Sequence, residues 1–371
     1  MKKLFNVIAS LIITIFLSVS VFAQEAPEYV EPEIDFASGK VLEIIKEEQN
    51  QDLASAFQTS QLIQLAKVIV INGKHKGKIV EIENQLTSNP AYDIKLRPGM
   101  RVVLTMEKTP GQTQFYITDI ERFPILMIIL GLFLVLLLAI GGKKGLRSLI
   151  SLGVTTFLIF FVLVPAILNS YPIIPSAIGV SLISTIMTMT IVGGWNLKSL
   201  SASLGTIISV TIAGLVSLLV IHSAPLSGFH DQESSMLWMA RPDLDFTEIL
   251  AASVIIAALG AVMDVGMSIA SSINEIKNAN KDLTPVELIK SGMNVGRDIM
   301  GTMSDTLIMA YIGGAFSLML LAANAPFIKL INLNSIATEI TAAITGSIGI
   351  VLCVPITAAI AGWLIGRKQL K

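Results

Sequence analysis

The chain reads as an all-α membrane bundle of about seven transmembrane helices, preceded by a small extracytoplasmic β-barrel or sandwich-like domain. Three observations lead to this reading. Of 371 residues, 53% are hydrophobic and only 14% charged, whereas soluble domains carry about 25% charged residues. Apolar stretches near the ~20 residues that cross a bilayer recur through the C-terminal two thirds. Ahead of them, between 39 and 123, the pattern changes to short alternating runs broken by Gly and Pro, which is the pattern of strands.

Residues 1–23 are expected to be a signal peptide. Lys2 and Lys3 form a basic start, 11–21 is apolar, and Val21-Phe22-Ala23 ends on a small residue. The other reading is an uncleaved first helix, although the apolar core is short for a span. Residues 24–38, acidic and bearing proline, are expected to form a flexible tether. In 39–123, Ala66 to Asn72 is β-branched and apolar, Gly73-Lys74-His75-Lys76-Gly77 makes a turn, and alternation resumes at Lys78. Pro98-Gly99 turns the chain into a strand at Met100, and Gly111 opens a last one. About five or six strands are expected. His75 is expected to be a solvated loop histidine.

The region 124–371 is the multi-pass domain. Expected spans are 125–140, 146–168, 173–192, 200–221, 249–273, 305–323 and 340–365. Lysine and arginine follow spans one, three, five and seven: Lys143, Lys144 and Arg147; Lys198; Lys277, Lys281 and Lys290; Arg367, Lys368 and Lys371. The opposite loops hold only Arg241 and Lys329. The positive-inside rule then places the β domain outside and the C-terminus in the cytoplasm, with a bacterial cytoplasmic (plasma) membrane as the location. Thr284-Pro285-x-Glu287 marks a helix start, and the polar helix that follows is expected to lie on, or re-enter, the inner membrane face. Pro355, after Gly346 and Gly349, is expected to interrupt the last span.

Two polar stripes carry the functional reading. Asp264, Ser268, Ser271 and Glu275 fall at helical spacings on span five, and Asn294, Asp298, Gly301 and Asp305 repeat the device on the next helix. An aspartate deep in lipid is costly and needs a partner, a proton or a wet cavity. Arg297 is the expected counter-charge. The transport-path candidates are therefore Asp264, Ser268, Ser271, Asn294, Arg297, Asp298 and Asp305. Two readings compete: an ion or solute path, and an interhelical hydrogen-bond network that only locks helices. An intramembrane protease pairing Asp264 with Asp298 or Asp305 is a remote third, because Met263 and Ser304 precede the candidates where glycine is usual. Methionines near the stripes (Met263, Met267, Met300, Met303, Met309) are better read as core filler than as copper ligands.

Other chemistry finds little support. A net charge of −1 implies no nucleic-acid surface. Cys353 is the single cysteine, so there is no internal disulfide and no zinc pattern. No phosphate-binding GxxxxGK[ST] occurs. No enzyme activity and no cofactor are expected, and the metal question stays open. His222, His230, Asp231, Glu233, Asp243 and Asp245 share one outer loop, better read as solvated than as a cation site. The lipid bilayer is the expected partner; an envelope protein or a second copy of the chain is the protein partner to expect.

The chain resembles the YibE/F-like family of bacterial multi-pass membrane proteins. The resemblance rests on Gly260-Ala-Val-Met-Asp264-Val-Gly-Met-Ser268-Ile-Ala-Ser271-Ser-Ile-Asn-Glu275, on Gly296-Arg297-Asp298-Ile-Met-Gly301-Thr-Met-Ser-Asp305-Thr, and on the Gly73-x-His75-x-Gly77 and Pro98-Gly99 turns. It implies an integral membrane protein with an exported β-rich segment, and it carries over no catalytic residue. The function expected is that of a transporter or channel for a small solute or cation; the alternative is a membrane-anchored scaffold or assembly protein.

Overall fold

A computed structural model describes residues 33–50, 61–87, 89, 91–109 and 112–367. The expected signal peptide and Lys368 and Lys371 lie outside them. The chain divides into two compact units, Met1–Gly131 and Leu132–Lys371.

The first unit is one antiparallel sheet of five strands: β1 (Glu33–Asn50), β2 (Gln61–Val70), β3 (Ile79–Leu86), β4 (Arg101–Thr109) and β5 (Gln112–Ile120), in the order β3-β2-β1-β4-β5. β1 is central and does double duty. Its first half pairs with β4, its second half with β2, and bulges after Val41 and Ile44 bend it between the two. The bend curls the sheet into a half-barrel whose edge strands β3 and β5 approach each other. One face is mostly apolar, with Val41, Val68, Ile82, Leu104 and Met106 almost fully buried. β1 begins inside the stretch expected to be tether; its acidic, poorly alternating N-terminal half is held by β4 rather than by its own pattern. His75 lies in the turn as expected and is half-buried. Its ring stands edge-on to Phe115 of β5 at 5.7 Å, and Lys78 lies over the Phe115 ring at 5.2 Å.

A buried glutamine secures the β3–β4 connection. Gln64 is 1% exposed. Its carbonyl accepts from the Leu96 amide at 2.9 Å and its amide donates to the Leu96 carbonyl at 3.4 Å. The loop that could not pair in the sheet is thereby paired to a side chain.

The rest of the chain is helical. α1 (Phe123–Leu158), whose first residues fall within the first unit, runs through a π-helical turn at Ile159–Leu163 into α2 (Val164–Leu168). α3 (Ile173–Gly193), α4 (Leu197–Ser223), the short α5 (Gln232–Ala240), α6 (Phe246–Ala279), α7 (Pro285–Gly314), α8 (Phe316–Ala322), α9 (Phe327–Ile331) and α10 (Asn334–Arg367) follow. Among the described residues five helical segments are long and apolar enough to cross a membrane, and the count is six if α7 and α8, bent by 62°, form one broken span. The difference from seven lies at the start. Phe123–Leu168 is one helical segment of 46 residues, about 69 Å of helix against a hydrocarbon layer of ~30 Å. It is broken at Gly142, whose φ of 51° and ψ of −131° are not helical. Beyond the break Gly145 packs on the backbone of Leu137, which eight residues of straight helix would hold about 12 Å away.

Two further stretches are shaped by packing. With α8, α7 makes either a broken span or a re-entrant loop, and the polar stretch at 284–301 is not a helix of its own. It is the first half of α7, started by the Thr284–Glu287 capping box, and it runs antiparallel along α10: Pro285 meets Gly366, Ile289 meets Gly362, and Leu307 meets Gly346. α10 itself is continuous through Pro355. Neighbouring helices pack around it, with Cys353, Val354, Thr357 and Ala358 all buried near the proline.

The core of this unit lies between α4, α6, α7 and α10. Met263, Met267, Met300 and Met303 pack in it as filler. Gly292 sits against Ile273 and Ala358, and Gly296 against Ile269 and Val354, so backbones approach closely, as small residues permit in membranes.

Two substitutions test these anchors. Gln64→Leu leaves both polar groups of Leu96 unpaired and is expected to cost about 1–3 kcal/mol, read as faster hydrogen exchange at the Leu96 amide. Gly296→Val is expected to destabilise the helical unit by about 1–3 kcal/mol through overpacking, read as a lower melting temperature in detergent.

Candidate functional site

α6 carries a packing surface and a polar stripe on different sides. Ile269 and Ile273 lie under the α7 glycines, while Asp264, Ser268, Ser271 and Glu275 project roughly 150° away around the axis. Asp264 and Glu275 are exposed; Ser268 and Ser271 are half-buried. On α7, Asn294, Asp298, Gly301 and Asp305 lie on the side opposite Gly292 and Gly296, and all four are exposed, as is Arg297. The two stripes therefore do not meet. Arg297 does not pair with Asp264, and none of Asp264, Arg297, Asp298 and Asp305 forms an ion pair or hydrogen bond among the described residues. A dyad of Asp264 with Asp298 or Asp305 is not assembled, and neither is the expected shared path.

Asp264 meets different neighbours. It opens into a cleft of about 400 Å³ between α1, α3 and α6. The opposite wall is hydroxylic: Ser148, Ser151 and Thr155 from α1, and Thr188 from α3. The hydroxyls are linked. Ser151 Oγ donates to Thr188 Oγ1 at 2.9 Å, Thr155 Oγ1 and Ser184 Oγ are 2.8 Å apart, and Thr155 lies 3.5 Å from Thr188. Met189, Met263 and Met267 complete the apolar walls. Ser148, Ser151 and Thr155, like Ser184 and Thr188, recur at steps of three and four, so each set occupies one helix face. That periodicity was available in the sequence, but serine and threonine are tolerated in membrane helices by bonding back to their own backbone, which gave the pattern no weight.

Depth makes the cleft unusual. Asp264 is near the middle of an apolar helix, about 13 Å from Ile273. One carboxylate facing four hydroxyls offers oxygen ligands for a small cation, or a proton acceptor beside a hydroxyl chain. No group of three or more His, Cys, Asp or Glu side chains able to hold a metal occurs among the described residues.

The α7 stripe lies at similar depth. Gly296 faces Val354, which is about 16 Å along α10 from the end of its apolar run at Ile365, roughly half of a ~30 Å hydrocarbon layer. A charged side chain there costs ~2.5–3.5 kcal/mol on insertion scales.

Two family models match this chain: one described as YibE/F-like protein over residues 129–367, and one described as YibE/F family N-terminal domain over 36–120. The chain belongs to the YibE/F-like family. No curated protein and no solved structure matches it. The two matched regions of this YibE/F-like chain coincide with the sheet and the helical bundle, and the cleft and both stripes lie in the second.

The connections of the YibE/F-like bundle use their charges locally. Asp231 caps α5 through the Ser234 amide at 2.7 Å, and Asp245 caps α6 through the amides of Thr247 and Glu248. Arg241 clasps Asp243 at 2.7 and 2.8 Å and donates to the Leu168 carbonyl at 2.7 Å, tying this connection to the end of α2. Lys277 is buried in the last turns of α6, where its ammonium donates to the carbonyls of Lys281 and Leu283 at 2.6 and 2.9 Å. These carboxylates serve as caps and clasp, which accounts for them without a cation.

Hydrogen bonds from Arg241 hold the Asp243 carboxyl down to about 2. Because this lies below the unfolded value of ~3.9, the clasp contributes its stability above about pH 4 and loses it as the pH falls through about 2. Arg241→Gln is expected to return Asp243 to the ordinary aspartate range, read by carbon NMR of labelled carboxyl groups.

Proposed function

We propose that this YibE/F-like protein is a transporter or channel of the bacterial cytoplasmic membrane, and that it moves a small cation or proton through the cleft at Asp264. The carrying observation is one acidic side chain, deep in an apolar helix, that opens into a hydroxyl-lined cleft and makes no hydrogen bond or ion pair among the described residues. A carboxylate in that position is suited to bind and release a positive charge. The linked hydroxyls of Ser151, Thr188, Thr155 and Ser184 supply ligand oxygens or a proton relay beside it. The path thus runs between α1, α3 and α6 and leaves out the α7 stripe.

The topology in this reading has seven crossings. The break at Gly142 splits Phe123–Leu168 into two arms, and Lys143, Lys144 and Arg147 beside it mark a cytoplasmic turn. The β domain then stands outside and Arg367 inside. The alternative, a scaffold whose polar stripes only lock helices together, is less well supported, because among the described residues neither Asp264 nor the α7 stripe reaches a neighbouring helix through a hydrogen bond.

The test is flux in proteoliposomes, followed with a pH-sensitive or cation-sensitive dye. Asp264→Asn is expected to lower flux at least about tenfold, equivalent to ~1.4 kcal/mol of barrier, in protein that still folds and inserts. Thr188→Val is expected to lower it less, and Asp298→Asn to leave the pore-side chemistry intact. Unchanged flux in Asp264→Asn removes the assignment.

A further inference from the structure

The exposed side of α7 needs a cover. Asn294, Arg297, Asp298 and Asp305 stand exposed on it at the depth of apolar residues in α6 and α10, and none of them forms a side-chain hydrogen bond or ion pair with a described residue. They do not neutralise one another within the helix. Arg297 and Asp298 are consecutive, so they point about 100° apart rather than at each other. An aspartate is also too short to snorkel to the membrane surface.

We propose that α7 packs against α7 of a second copy of this chain, about a two-fold axis along the membrane normal. The charges argue for this occupant over another. In two parallel helices related by such an axis, side chains on the left flank of one face the right flank of the other. Arg297 and Asp298 flank the line through Asn294 and Gly301 at nearly one height. Arg297 of each copy then stands opposite Asp298 of the other, giving two reciprocal ion pairs from a single dipeptide. Gly301 lies on the line between them, and a Cβ there would meet nothing within 4 Å. It leaves room for the helices to approach closely at the level of the pairs. Lipid would leave both charges uncompensated, and a different protein would have to supply the matching pattern that the chain already has. The self-complementary surface is the one an isologous dimer requires.

This proposal is independent of the Asp264 cleft, and its test reads mass and cross-linking, with no flux measurement. The protein is reconstituted in nanodiscs and weighed by native mass spectrometry. Two chains per particle are expected. Arg297→Asp and Asp298→Arg each place like charges across the axis and are expected to shift the population to single chains by at least tenfold. The double exchange of Arg297→Asp with Asp298→Arg restores opposite charges and is expected to restore the dimer. Should a charge variant fail to fold, a second measurement decides. In a Cys353→Ser background, Gly301→Cys is expected to cross-link under oxidation, since paired cysteines need Cα atoms within about 7 Å, while Ile186→Cys on α3 stays uncross-linked. A wild-type particle of one chain, a different protein bound in place of the second copy, or a dimer in which Gly301→Cys fails to cross-link overturns the proposal.

Discussion

The close approach of α7 to α6 and α10 governs the helical unit. It depends on side chains that are missing. At Gly292 and Gly296 the α7 backbone lies directly on Ile273, Ile269 and Val354, and any Cβ there would push the helices apart. Once this contact is made, rotation about both helix axes is fixed. α6 must turn Asp264 toward α1 and α3, and α7 must turn Arg297, Asp298 and Asp305 outward. The positions of the chain's polar groups follow from where its glycines pack.

This explains how far the sequence could be read. The strands at Ala66, Lys78, Met100 and Phe115 were visible because their alternation is local and the turns carry their own chemistry at Gly73, Gly77 and Pro98-Gly99. β1 was misjudged at its start because its first half is acidic and takes its conformation from β4. Helix existence was legible from apolar length, and the start of α7 from Thr284 and Glu287. The pairing of helices was not. Both stripes were correctly placed on their own helices, yet periodicity states only which residues share a face and says nothing of what that face meets. The same limit hid the hydroxyl wall, whose members come from two helices far apart in sequence.

Connections in both units rely on one side chain holding several backbone groups. Gln64 holds both polar groups of Leu96, Lys277 holds two carbonyls of the α6–α7 link, and Arg241 joins its own connection to the end of α2. Each places a long polar side chain where the backbone cannot pair with itself.

The second arm of α1 is fastened unevenly. At its far end Leu158 and Leu163 pack into an apolar cluster with Ile173, Ala177 and Val180. Nearer Gly142, only hydroxyl contacts to Ser184 and Thr188 tie it to α3 by hydrogen bonding. Such bonds average ~0.6 kcal/mol each in a membrane, so three amount to about 2 kcal/mol. The hydroxyl wall facing Asp264 is therefore moored by apolar packing at one end and by weak polar contacts at the other.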